Sequence, residues 1–440
     1  MYRKTKITWI IAILIVLLLG VAAAYRHYSN FSAANATNSP KANDENKLTK
    51  SEVKSDANEM IEIMESTHPF FILEGETEKY KEAKAKFLAE ANKSMSKEDF
   101  KISVSKYLSS IEDGHTKVVW GDIEWLNVNW KYINGRLVIL DENNKVTDKV
   151  VTKINGVDIQ KIFEAINELF PAENYVAVAK NYATYSRSKE VLTYTGVDCS
   201  KDINLTVSDK NSEENIQILF SNDIQPYHPS YEISSRKIDD KTIYVKFGIC
   251  ELNKDLDKVS EDLKQAIDSG IKNVIIDVMD NPGGNSEACN KLLDSLKIKP
   301  GGFGGVVRYS ALAQKQYGYE SKSGYEIYDS NNDVVPNPNI NLYVITNEET
   351  FSSAQWLATW VKDGKLGTIV GRPSSNMPSS YGDALPFELK YSKLRGQISH
   401  KKWYRPDKTK DSERVLEPDV YVDYSENALN KVMELIAAKG

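Results

Sequence analysis

Cysteine is scarce in this chain of 440 residues: there are three, Cys199, Cys250 and Cys289, and no pair has C-x-x-C spacing. An odd, scattered set excludes a disulfide framework, and all three read as small core or surface residues. Histidine is nearly as rare. The five histidines, His27, His68, His115, His228 and His400, stand apart from one another and from the cysteines. Metal-ligand spacing is therefore missing, and no metal or cofactor is expected. A basic excess is missing too: 56 Lys and Arg face 62 Asp and Glu, for a net charge of −6 and a pI near 5.7. No basic patch alternates with aromatics, which excludes nucleic acid as a partner. What remains, 27% charged and 41% hydrophobic residues, is ordinary globular composition. The length suits two or three domains.

The N-terminus is not part of that globular material. Arg3, Lys4 and Lys6 precede Ile7–Ala24, an uncharged and almost wholly apolar stretch. At about 1.5 Å per residue it reaches roughly 27 Å, close to a bilayer core. The basic flank puts Met1 in the cytoplasm and the rest of the chain outside it. Residues 1–28 thus read as a single-pass anchor in the cell membrane. Ala22-Ala23-Ala24 also fits a cleavage site, which would make the protein secreted; the length favours the anchor. Residues 29–50, rich in Ser, Asn, Ala and Lys, read as a flexible linker.

From Ser51 the apolar spacing turns helical. Met60, Ile63 and Met64 form one stripe; Tyr80–Asn92 and Lys97–Ile111 form two more amphipathic stretches. Residues 51–118 are expected to be a helical N-terminal region that ends by delivering Asp113-Gly114-His115. Residues 119–235 carry short β-type runs at Leu137–Leu140, Lys149–Ile154, Asn204–Val207 and Ile216–Phe220. An Asn155-Gly156 turn follows one of them and leads into a helix through Ile162, Ile166 and Leu169. This layout fits a PDZ-like domain, whose sheet edge can take up a peptide; a plain β-rich insert is the other reading. Residues 236–440 alternate strand and helix: Thr242–Phe247, Leu256–Ser269, Asn273–Val278, Glu287–Leu296, Asn341–Thr346 and Ala354–Lys362. The expectation is an α/β core with a mostly parallel sheet covered on both faces. Functional groups in such sheets sit in loops past the strand carboxyl ends, where Asn281–Asn285 and Thr346–Ser353 fall.

Those loops carry the residues that acyl transfer needs. Ser352 stands where a strand gives way to a helix, with the amide of Ser353 free to donate. A serine at that junction is ordinarily just an N-cap. Asn281-Pro282-Gly283-Gly284 offers amides that can approach a ligand closely, although such a run is ordinarily a turn. His115 supplies a base whose unperturbed pKa lies near neutrality. A nucleophile, a base and oxyanion donors converging from distant segments make a serine hydrolase the leading reading.

Two segments carry a family resemblance. Asp277 to Gly284, D-x-x-x-N-P-G-G, resembles the oxyanion segment of the C-terminal processing, or tail-specific, serine proteases. Asn347 to Gln355, N-x-x-T-F-S-S-A-Q, is similar to their nucleophile segment and puts the nucleophile at Ser352 rather than Ser353. The likeness spans roughly 236–424. It implies a crotonase/ClpP-like core behind a helical region and a PDZ-like domain, a polypeptide substrate, and an oxyanion hole from Gly283, Gly284 and Ser353. One branch of the family uses a lysine about two dozen positions after the serine, but Arg372–Gly382 contains none. The other branch, similar to the tricorn protease core and the interphotoreceptor retinol-binding protein repeats, uses the histidine of D-G-H-T, present here at Asp113–Thr116. His115 is then the base and His400 its rival. The third catalytic group is expected to be Glu417, with Glu413 and Asp383 as alternatives. Gln355 departs from the glutamate usual at its position. The expected activity is that of a membrane-tethered, extracytoplasmic serine peptidase. A catalytically inactive peptide- or ligand-binding protein, or a surface module docking a partner's C-terminus, are the other readings.

Overall fold

The hydroxyl of Thr49 accepts from the Glu52 N–H while the Glu52 carboxylate accepts from the Thr49 N–H, a capping box that opens the helix Lys50–Thr67. The hydroxyls of Thr77 and Ser96 cap the helices Glu78–Glu90 and Lys97–Ser109 by accepting from the N–H groups of Tyr80 and Asp99. Val53, Ala57, Met60 and Met64 bury one face of the first helix; Phe100, Val104, Tyr107 and Leu108 bury one face of the third. The structure, a computed structural model, describes residues 46–120, 124–209, 212–222 and 229–439. The expected anchor at 1–28, His27, most of the linker and His228 lie outside the described residues. No helix among the described residues is long and apolar enough to cross a membrane.

The helical region does not stand alone. Its core is continuous with Tyr381, Leu385, Phe387 and Ile398, which belong to the antiparallel pair Tyr381–Glu388 and Arg395–Tyr404, and with Leu389 just beyond the first strand. Lys117–Val118 adds as a short strand to Gln397–Gly396. These strands, with Gly304–Arg308 and Tyr325–Tyr328, make a five-stranded antiparallel sheet. The middle of the chain is β-rich: Trp130–Ile133, Arg136–Leu140, Val146–Ile154, Ile203–Ser208 and Glu213–Ile218 pair antiparallel, and Ile159–Leu169, Tyr175–Tyr185 and Lys189–Tyr194 are helices. Asn155 and Gly156 both have positive φ, 44° and 79°, as the Asn-Gly hairpin turn requires.

The core sheet runs Ile233–Asp239, Thr242–Phe247, Asn273–Asp277, Asn341–Thr346, Thr368–Gly371, Val420–Tyr421, antiparallel in the first pair and parallel thereafter. Strand alternation divides its side chains. Val274, Ile276, Leu342 and Val344 face the layer of Lys254–Asp268, Ser286–Ser295 and Ser353–Asp363. Ile275, Tyr343 and Ile345 face the helix Ala428–Ala438. With both faces covered, no residue of Asn273–Asp277 reaches solvent. The expected α/β class, helical N-terminal region and β-rich middle are all present.

Candidate active site

The strands Asn273–Asp277 and Asn341–Thr346 lie side by side, so the loops at their carboxyl ends meet. Asn347 and Thr350 lock them together. Asn347 Nδ2 donates to Asp280 Oδ1 (2.8 Å), the Asp280 N–H donates back to Asn347 Oδ1 (3.1 Å), and Thr350 Oγ1 donates to the Val278 carbonyl (2.9 Å). The N–H of Phe351 then donates to the carbonyl of Asn281 (2.9 Å), and Asn281 is itself wholly buried. Asn347 and Thr350 of the N-x-x-T motif are thus the clasp between the two loops.

Ser352 closes the loop at φ 52°, ψ −122° and makes no capping hydrogen bond to the helix Ser353–Asp363 that it starts. The ordinary N-cap role therefore does not apply, and a non-glycine residue held there costs roughly 1–3 kcal/mol. Its N–H donates to Asn376 Oδ1 at 2.8 Å. Ser353 has a different fate: its hydroxyl donates to the Gly284 carbonyl at 2.7 Å. A Cβ on Gly283 would lie 2.6 Å from the Ser352 Cβ, 2.8 Å from the Phe351 carbonyl and 3.0 Å from the Ser353 nitrogen. Gly283 has φ 96° and Gly284 φ 131°. Here absence of a side chain is what lets the turn touch Ser352.

The expected oxyanion set needs one correction. The Gly283 N–H is already donated to Asn281 Oδ1 at 2.8 Å. Among the described residues no acceptor meets the N–H of Gly284 or of Ser353. Those two donors stay open; Gly283 supplies the close approach instead.

His115 follows the helix Lys97–Ser109 and is positioned by the strand Lys117–Val118, with Gln397 Nε2 donating to its carbonyl (2.8 Å). Its ring lies against Phe351, centroids 4.6 Å apart, one residue before Ser352. Both ring nitrogens lack a hydrogen-bond partner among the described residues, Ser352 included. Nδ1 faces Asp113 Oδ1 at 3.7 Å and Glu173 Oε1 at 4.0 Å.

Asp113 is fully enclosed. It accepts from Thr116 Oγ1 (2.6 Å), Ser399 Oγ (2.6 Å), the His115 N–H (2.9 Å) and His68 Nε2 (3.1 Å). The Phe70 N–H donates to His68 Nδ1, which leaves the proton on Nε2, facing Asp113. Burial pushes the Asp113 carboxyl up, but the two histidines outweigh it and hold Asp113 well below the usual carboxylate range. Glu173 stands opposite: burial pushes its carboxyl above the usual range although His115 pulls it down. It accepts from Asn376 Nδ2 (2.7 Å), the Met377 N–H (2.7 Å) and the Gly114 N–H (3.0 Å). Asn376 therefore links the backbone of Ser352 to the carboxylate beside His115.

The carboxylates expected from sequence lie elsewhere. Glu417 is exposed and accepts from the Tyr175 hydroxyl at 3.1 Å. Glu413 pairs with Arg405 at 2.8 Å, and Asp383 with Lys401 at 2.5 Å. The reason is geometric: the segment carrying Glu417 runs toward the edge strand Val420–Tyr421, whereas Glu173 is held inward by three donors. His400 is buried, with its Nδ1–H donating to the Asp383 carbonyl at 2.5 Å and its ring stacked on Tyr317. Gln355 is buried, and its Nε2 has no partner among the described residues. Sequence reasoning missed Glu173, Asn376 and His68. Glu173 sits in a link between two helices with no motif around it. Asn376 was within view, in the very window where the other branch keeps its lysine.

The fold is similar to that of several solved proteins. Mature CPAF superposes with a TM-score of 0.63 at 12% identity, over 88% of this chain and 97% of that one. Mature CPAF complexed with lactacystin gives 0.62 at 13%, over 88% and 98%. The photosystem II D1 C-terminal processing protease gives 0.45 at 12%, over 84% and 93%. At such identities the likeness is one of fold. No curated protein is significantly similar in sequence. Residues 241–422, which carry the Ser352 loop and the Gly283-Gly284 turn, match Peptidase family S41, a match that supports a serine-type peptidase.

Proposed function

We propose that this chain hydrolyses polypeptides through an acyl-enzyme on Ser352, with His115 as the base. The observation that carries the reading is the backbone of Ser352, held at positive φ against Gly283 with its hydroxyl not used as a helix cap. His115 turns one ring nitrogen to the Ser352 hydroxyl and takes its proton, while the other faces Asp113 and Glu173. The imidazolium so formed sits beside a carboxylate that is ionised and firmly held, Asp113, and this stabilises it. The hydroxyl oxygen attacks the peptide carbonyl, and the N–H groups of Gly284 and Ser353 hold the oxyanion. His115 then gives its proton to the leaving amine, and water repeats the cycle on the ester.

Proposed too is where this happens. The run Ile7–Ala24 behind Arg3, Lys4 and Lys6 supports a tether in the membrane with the peptidase outside the cytoplasm. Intact mass of the purified mature chain distinguishes the tether from a cleaved signal.

The absence of a Ser352–His115 hydrogen bond favours a second reading, a cleft that binds peptide without cleaving it. A fluorophosphonate probe decides between them. Covalent labelling of the wild type, lost in Ser352→Ala, is the expected result. A wild type that stays unlabelled while binding peptide removes the peptidase reading.

A further inference from the structure

Between the middle domain and the nucleophile loop lies a cavity of about 50 Å³, lined by Trp130, Lys131, Lys180, Arg187, Glu348 and Glu349 among others. A water needs about 10–15 Å³ by this measure, so there is room for a few waters or one small polar group. Its charges do not balance. Lys131 pairs with Glu348 at 2.6 Å and Lys180 with Glu349 at 3.0 Å; Glu348 has Arg372 as a further partner at 3.0 Å. Among the described residues no carboxylate pairs with Arg187. It is 7% exposed, and its one side-chain hydrogen bond runs from Nε to the Leu126 carbonyl (3.2 Å). Among the described residues Nη1 and Nη2 have no partner, although both can donate. Burial pushes this guanidinium down to about 10. A buried cation without a counter-charge is costly.

From this cavity and its unpaired guanidinium we propose a binding site for a carboxylate, held by Nη1 and Nη2 of Arg187 in the planar two-bond geometry that a guanidinium fork favours. The site is separate from Ser352 and does not depend on the serine chemistry. A carboxylate there sits beside Glu348 and Glu349, four and three residues before the nucleophile, so occupancy also bears on how the nucleophile loop is held. The same chemistry is offered by the free C-terminus of a polypeptide and by a small free carboxylate.

Titration of the wild-type protein tests this, with acetate against chloride at constant ionic strength, and with a short peptide ending in a free carboxylate against its amide. Expected is saturable binding of acetate or of the free-acid peptide, and none of the amide. Preference for the peptide identifies a C-terminus as the occupant; equal binding identifies a free carboxylate. Arg187→Met should weaken binding about 10- to 100-fold, the usual worth of a charged hydrogen-bonded partner. If that variant does not fold, Arg187→Lys keeps the charge, loses the fork, and should bind more weakly than wild type. Wild-type protein that binds neither acid saturably, or a folded Arg187→Met that binds as wild type does, overturns the site.

Discussion

At the residue scale the proposed activity rests on two backbone positions rather than on side-chain identity alone. Ser352 is held at a φ that L-residues rarely adopt, and Gly283 is pressed against it with no room for a methyl. Gly283→Ala places a carbon 2.6 Å from the Ser352 Cβ and demands positive φ of an alanine. Turnover should fall by about 10²-fold or more, the scale of a lost oxyanion donor, because the whole turn must withdraw. Steady-state kinetics with unchanged circular dichroism is the check; wild-type turnover in the folded variant would remove Gly283 from the site. Ser352→Ala should abolish turnover and leave stability equal or higher, since it alters only the hydroxyl. Chemical denaturation reads the second part.

At the element scale, the antiparallel pair Tyr381–Glu388 and Arg395–Tyr404 carries a buried titrating group of its own. His400 is buried between them, and burial depresses it from its usual 6.5 to about 4 although Asp383 pulls it upward. The unfolded chain therefore binds more protons than the folded one between pH 4 and 6.5. Stability is complete above 6.5 and falls as pH drops, with the loss finished near 4. The full effect is on the order of 3 kcal/mol. Asp383, held down to about 2, adds its own loss only below the usual carboxylate range and so leaves this window clear. Thermal unfolding across pH 4–6.5 should show the slope in wild type and a smaller one in His400→Gln; equal slopes would assign it to other groups. Elements were the most legible part of the sequence. Asn273–Asp277 and Asn341–Thr346 appear where buried apolar runs put them, because a strand covered on both faces is nearly continuous in apolar residues. Gly304–Arg308 escaped notice: its two glycines and short length leave no periodic signal.

At the scale of the whole molecule, the site is assembled by contacts between regions. Lys131 of the middle domain holds Glu348 of the nucleophile loop, whose carboxyl Lys131 and Arg372 keep at about 2 despite burial. Lys131→Ala leaves Glu348 one partner short and should cost about 1–3 kcal/mol. It should also lower turnover, because Glu348 precedes the nucleophile by four residues. Denaturation and kinetics on one preparation check both; an unaffected rate would make the pair a purely structural contact. The sequence alone picked out the strand–helix alternation, the Gly283-Gly284 turn, and Ser352 and His115 as candidates, since each rests on local chemistry: propensity, period, and short motifs whose residues lie within a few positions. Only tertiary structure decided which carboxylates face His115, that Asn376 ties Ser352 to Glu173, and that Arg187 is left without a counter-ion. Those depend on which side chains meet across some 60 to 200 positions, and a charge carries no local mark of the partner it will be buried against.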